Sequence, residues 1–193
     1  MSAEDATAWA PDASRGTVRP VRLLGDPVLR SRAHPVDTSN GSLEALLDDM
    51  FVSMYAADGV GLAANQIGFS ADVFVFDCPF DPDDENDVAY PPEHGAGYLV
   101  NPRLTRTWGE NQVWSEGCLS LPGFSWDTPR ADCASVEGVD VHGSPLVVSG
   151  SGLLGRCLQH ESDHLLGKVY LDRLPRLQRG KAMRQYRGGV EKE

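Results

Sequence analysis

The chain has 193 residues, 41% hydrophobic and 23% charged, a length that suggests one domain with a substantial core. Its 17 basic and 28 acidic residues leave a formal net charge of -11, which argues against a general nucleic-acid binder, and no DNA partner is expected. No apolar run approaches the ~20 residues of a membrane span, and Met1–Gly16 holds three acidic residues and no apolar segment. The reading is a cytoplasmic protein without a secretory signal.

Residues 1–17 are rich in Ala, Ser, Asp and Gly without periodicity and read as a disordered tail. Gly25-Asp26-Pro27 marks a turn. From Ser42 to Ala57, Leu43, Leu46, Leu47, Met50, Phe51, Met54 and Tyr55 recur at helical spacing and predict a core helix. Ser42 or Asn40 is its expected cap, and Asp58-Gly59 its end, with glycine in the left-handed position. The segment Gly59-Val60-Gly61-Leu62-Ala63-Ala64-Asn65-Gln66-Ile67-Gly68 is neither GxGxxG nor a phosphate loop. Two readings stay open for it: a tight helix-to-strand turn, or a substrate-facing loop with Gln66 as an amide donor.

Asp72–Asp77 alternates valine and phenylalanine and predicts a strand. Residues 78–97, rich in Pro and Asp, read as an acidic surface loop. Tyr98–Val100 and Leu104–Trp114 predict further strands, and Ala131–Val141 with Pro145–Val148 a hairpin turning at His142-Gly143-Ser144. His34, His94 and His142 sit in polar loops or turns without a partner pattern. Pro175–Arg187 reads as a basic helix carrying Arg176, Arg179, Lys181, Arg184 and Arg187. A solvated face is the plainer reading of it, and a docking patch for RNA the alternative.

Two features carry chemistry. The first is Gln159-His160-Glu161-Ser162-Asp163-His164, preceded by Leu153, Leu154 and Leu158, with Ser151 as a plausible N-cap. On a helix, residues four apart lie one turn apart on one face, so His160 and His164 can grip one divalent ion, with Glu161 beside them as a proton acceptor. Alone, the pattern also fits two surface histidines. The second is Glu116-Gly117-Cys118-Leu119-Ser120-Leu121-Pro122-Gly123, which holds a cysteine on a constrained backbone. Free cysteine is usually just a small buried residue. A catalytic ion on two histidines nevertheless needs a third ligand, no histidine follows His164, and only Asp172 is near. A Cys118 thiolate completes a Cys-His-His set. The absence of CxxC makes a structural zinc ribbon improbable.

With the Gly59–Gln66, Glu116–Ser120 and Gln159–His164 motifs in that order, the sequence resembles the peptide deformylases, over roughly Val18 to Leu174. The resemblance implies an α+β fold: antiparallel β-sheets surrounding a central metal-binding helix, with an N-terminal and a C-terminal helix. It implies a catalytic domain over 18–174 followed by a basic helix or tail over 175–193. It implies hydrolysis of the formyl group from the N-terminal formyl-methionine of nascent polypeptides. Cys118, His160 and His164 are then the metal ligands and Glu161 the general base and acid. Gln66 and the Leu119 backbone N–H hold the formyl oxygen, and Gly61 meets the substrate backbone. Val60, Trp114, Leu153, Arg156 and Cys157, with His160, wall the methionine pocket, the Arg156 stem packing there with its charge outward. Glu116 and Asp163 are candidates to orient the histidines, with Arg130 paired to one of them. A soft thiolate with two imidazoles suits Fe(II), Zn(II), Co(II) or Ni(II). The resemblance points to Fe(II) in the cell.

Two further expectations differ in kind. Arg156 and the acidic loop suggest a copy specialised for another N-formyl compound. The basic helix suggests a non-catalytic ribosome-binding protein with a structural metal, which the intact Glu161 and Gln66 argue against.

Overall fold

Four successive residues of the predicted strand, Val73, Phe74, Val75 and Phe76, are buried, so this strand is covered on both faces. Alternation sends them opposite ways. Val73 and Val75 join Leu43, Leu47, Met50, Phe51 and Met54 of helix α1 (Leu43–Ala56), whereas Phe74 and Phe76 join Leu154, Cys157 and Leu158 of helix α2 (Gly152–Leu165). The structure, a computed structural model, describes residues 15–40, 43–78 and 96–190. The disordered tail read over 1–17 lies outside the described residues up to position 14, and Thr17 N donates to Asp49 Oδ1 of α1 at 2.6 Å. Ser42, His94 and most of the acidic loop also lie outside them.

The described strands form one five-stranded antiparallel sheet in sequence order: β1 (Gly61–Ala63), β2 (Val73–Asp77), β3 (Ala96–Gly117), β4 (Ser125–Val139) and β5 (Pro145–Gly150). The two strands expected at 98–100 and 104–114 are one. Asn101 bridges them in a left-handed conformation (φ 51°); its backbone N donates to the Asp72 carbonyl, and its side-chain amide accepts from Val36 N and donates to Val36 O. Three register shifts between β3 and β4 mark bulges, which bend a long hairpin. The bent sheet touches α2 from all five strands. The β4–β5 hairpin turns as expected, with Gly143 at φ 84° and Asp140 Oδ1 accepting from His142 N and Ser144 N. The expected α+β architecture with a central helix is present.

One expectation about a helix end differs in detail. The left-handed residue after α1 is Asp58 (φ 54°), not Gly59. Gly59 has no room for a side chain instead, because a Cβ there would meet Leu119 Cδ1 at 2.7 Å. Helix α3 (Arg176–Val190) packs Ala182, Met183 and Tyr186 against Leu121, Phe124 and Trp126 and leaves its basic residues outward. No helix among the described residues is long and apolar enough to cross a membrane.

Gly155, a weak helix former, sits in α2 because the helix crosses the sheet backbone there. A Cβ would fall within contact distance of the Asp132 carbonyl and 2.6 Å from the Gly150 carbonyl oxygen. The expected outcome for Gly155→Ala is a loss of about 1–3 kcal/mol in urea unfolding despite alanine's better propensity. A stabilised variant would show that the close crossing does not select glycine.

Candidate metal centre and active site

Every residue of α2 from Leu154 to Leu165 is buried, including Gln159, His160, Glu161, Ser162, Asp163 and His164. Buried polar groups cost free energy unless bonded, so this helix dictates its surroundings. Gln159 donates to the Ala131 and Gly155 carbonyls, and Ser162 to the Leu158 carbonyl. His160 Nδ1 lies 2.6 Å from Glu116 Oε1. Its Nε2 lies 3.1 Å from His164 Nε2, which lies 3.2 Å from Cys118 Sγ. The ligand atoms of Cys118, His160 and His164 all fall within 4.8 Å of one another.

This donor set fits a divalent ion. With Zn–N near 2.1 Å, a tetrahedral centre separates two nitrogen ligands by about 3.4 Å, close to the spacing found. A carboxylate on Nδ1 fixes the tautomer that presents the Nε2 lone pair. Two Nε2 atoms this close cannot both carry protons. Burial, aided by the charges of His160 and Arg130, drives His164 well below the ordinary imidazole value and keeps it neutral. Burial opposes charge on His160, but hydrogen bonds to Cys118 and Glu116 outweigh it and hold that ring well above the usual value. Tyr170 stacks on the His160 ring at 6.2 Å.

Glu116 accepts from Arg130 Nε (2.8 Å to Oε2) and Nη2 (2.6 Å to Oε1), and Arg130 Nη1 donates to Asp163 Oδ2 at 2.8 Å. Arg173 closes the chain onto Asp163. Glu116 is therefore the histidine's partner. Asp163, the other candidate, is held by Arg130 and Arg173 and supports the site from behind. Burial alone would raise Glu116, yet Arg130 and His160 hold it far below the carboxylate range. Asp163 is lowered too, its two arginines overcoming burial.

A cavity of about 690 Å³ opens over these atoms, lined by Gln66, Cys118, His160 and Glu161 and by Val60, Gly61, Leu119, Leu153, Arg156 and Cys157. Gln66 is oriented by its neighbours. Its Oε1 accepts from Ala63 N at 2.9 Å, which turns Nε2 towards Ser120 Oγ (3.2 Å) and Cys118 Sγ (3.6 Å). Glu161 is buried, its Oε2 has no hydrogen-bond partner among the described residues, and burial pushes it up to about 7. Gly61 is needed where it stands, since a Cβ would meet Glu161 Oε1 at 2.5 Å and Cys157 Sγ at 2.6 Å. The Cys157 thiol is pushed well up by the adjacent Cys78 thiol and by burial, so it stays a neutral wall.

Two expected site residues are placed differently. Trp114 is not among the cavity-lining residues and lies against the Arg156 guanidinium, 5.2 Å from ring centroid to Cζ. Arg156 does line the cavity, but its charge turns inward: Nη1 donates to Glu116 Oε2 at 2.6 Å, because a buried carboxylate offers more than an outward path. Val21, Leu23 and Phe124 line the cavity, and Ser120, Tyr170 and Arg173 contact Gln66, His160 and Asp163, without any pattern in their spacing that pointed there. Asp172, near the helix, is taken up by Arg30 and Arg179 and is no ligand. Arg130→Met should cost about 3–5 kcal/mol in urea unfolding at pH 7.5, because it strands buried carboxylates. Both carboxylates have lowered folded-state values, so their stabilisation is full above the ordinary carboxylate range and fades as the pH falls through those values. The variant's deficit should therefore shrink as the pH is taken below about 4; a constant deficit would contradict the pairing.

The polypeptide deformylase family model matches residues 18–180. Peptide deformylase 2 of Streptomyces coelicolor is 51% identical over 172 residues, covering 89% of this chain and 91% of that one. Peptide deformylase 1 of Corynebacterium efficiens is 46% identical over 167 residues, covering 86% and 93%. Among solved structures, a peptide deformylase from Legionella pneumophila superposes with TM-score 0.75 at 38% identity, covering 91% of this chain and 96% of that one. The Ehrlichia chaffeensis enzyme in complex with actinonin gives 0.78 at 32%, covering 90% and 98%. With sequence, fold and a Cys-His-His centre in agreement, the chain belongs to the peptide deformylases, metal-dependent hydrolases that remove the formyl group from the N-terminal methionine of new polypeptides.

Proposed function

We propose that Cys118, His160 and His164 hold one divalent ion, Fe(II) in the cell, and that Glu161, Gln66 and Leu119 perform deformylation beside it. The observation that supports this most is a cluster of three ligand atoms, two of whose residues, Cys118 and His160, line a cavity together with an unpartnered carboxylate oxygen and an oriented amide. When bound, the ion acidifies a water and polarises the formyl carbonyl. Glu161 would accept the proton of the attacking water as its oxygen adds to the formyl carbon. Gln66 Nε2 and the Leu119 backbone N–H donate to the oxyanion that develops, a kind of contact worth about 2.7–4 kcal/mol of barrier each. Glu161 then gives the proton to the α-amine as the C–N bond breaks, leaving formate and a free N-terminus.

Val60, Leu153, Cys157 and the Arg156 stem receive the methionine side chain, Trp114 backs Arg156, and Gly61 lets the substrate backbone approach. A thiolate beside two imidazoles also accepts Zn(II), Ni(II) or Co(II), so those ions compete with iron. The inward charge of Arg156 leaves the wall apolar, which removes one ground for a specialised formyl substrate. The catalytic unit is 18–174, followed over 175–193 by a basic helix or tail, of which Arg176–Val190 is the helix α3. The compartment is the cytoplasm, where nascent chains are made.

Purified protein should release formate from formyl-Met-Ala-Ser, lose activity with a chelator and regain it with Fe(II) or Ni(II). Glu161→Ala should keep its metal while kcat falls by about 10²–10⁴-fold or more. A variant that retains turnover would remove Glu161 from the chemistry. We also propose transient ribosome contact through α3, whose Arg176, Lys181, Arg184 and Arg187 are exposed. Reversing these four charges to Glu should abolish salt-sensitive ribosome binding and spare turnover of the free peptide. Unchanged binding would exclude the helix.

A further inference from the structure

Arg156 belongs to the cavity wall, yet its guanidinium is committed elsewhere. Nη1 donates to Glu116 Oε2 at 2.6 Å and to the Thr128 carbonyl at 3.0 Å, and Nη2 to the Gln112 carbonyl at 2.8 Å. Its side chain is 7% exposed, and Cζ lies over the Trp114 ring. Four anchors from β3 and β4 therefore hold one planar group.

The carboxylate it grips is the one that orients His160. Glu116 Oε1 serves His160 Nδ1 and Arg130 Nη2, and Oε2 serves Arg130 Nε and Arg156 Nη1. Arg130 is shared with Asp163, so it cannot compensate Glu116 alone. Without Arg156, Oε2 keeps one donor, the carboxylate plane is held by Arg130 and His160 without its third support, and more of the carboxylate charge falls on the imidazole. We propose that Arg156 is a positioning residue: it fixes the plane and charge of Glu116 and, through Glu116, the orientation of His160 at the metal centre. The wall that faces the substrate and the ligand that faces the ion are then set by one side chain. This rests on the reading of His160 as a metal ligand.

Arg156→Met keeps an unbranched apolar stem and removes the guanidinium, whereas Arg156→Lys keeps the charge but cannot reach all four anchors. Apo protein reloaded with Co(II) gives ion affinity by chelator competition and ligand geometry by visible absorption, both independent of turnover. Arg156→Met should bind the ion about 10–100-fold more weakly, shift the Co(II) spectrum and lower kcat several-fold, with KM for formyl-Met-Ala-Ser within about twofold of wild type. Arg156→Lys should weaken the ion several-fold. In a Glu116→Gln background, Arg156→Met should add little, because the path runs through that carboxylate. A raised KM with unchanged ion affinity and spectrum overturns the proposal and leaves Arg156 as pocket wall only. Full additivity with Glu116→Gln overturns it too. If Arg156→Met does not fold, Arg156→Lys decides: weaker ion binding at unchanged KM supports the role, and wild-type affinity rejects it. Stoichiometric Co(II) and turnover in the wild type test the metal centre itself, so failure of that reading is seen separately.

Discussion

A helix whose polar residues are all inside must have partners delivered to it, and the buried charges around α2 are what the molecule is arranged to supply. Glu116 from β3, Arg130 from β4 and Asp163 from α2 itself form a chain in which each charge is met by an opposite one. Isolated, each of these groups would cost several kcal/mol to bury. The long β3–β4 hairpin is the element that carries two of them to the helix, and its bulges let it follow the helix round.

That constraint has a geometric product. Glu116 is pinned to His160, and Cys118 lies two residues further along the chain, just past the end of β3. His164 lies one turn beyond His160 on the helix. One anchored rung thus sets the next, and the thiol arrives at the second imidazole. The metal-binding geometry is a consequence of the charge network rather than an addition to it. The opposite wall is brought in by close backbone approach: Gly59 against Leu119, Gly61 against Glu161, and Asn65 Nδ2 donating to the His164 carbonyl at 2.6 Å.

Much of this was legible in residue order. The α1 face, the valine–phenylalanine strand, the β4–β5 turn and the two histidines one turn apart are local patterns, set by 3.6- and 2-residue periods. The union of two strands into β3 was not, because the left-handed Asn101 between them is held by contacts with Val36 and Asp72, which are distant in sequence. The inward turn of Arg156 was not either, since an arginine in an apolar wall normally carries its charge to water. Ser120 behind Gln66, Tyr170 under His160 and Arg173 on Asp163 meet their partners only after the chain has folded.

The sequence alone determined the chemical inventory: a thiol, two imidazoles at helical spacing, a carboxylate between them and a glycine-flanked amide, in an order that resembled one family. Tertiary structure decided which face of α2 is inside, which charge compensates which, and where the Arg156 guanidinium points. Periodicity records contacts a few residues apart along one chain segment. Burial and ion pairing join residues 14 to 44 positions apart, such as Arg130 with Glu116 and His160 with Glu116, and no local pattern encodes those pairings.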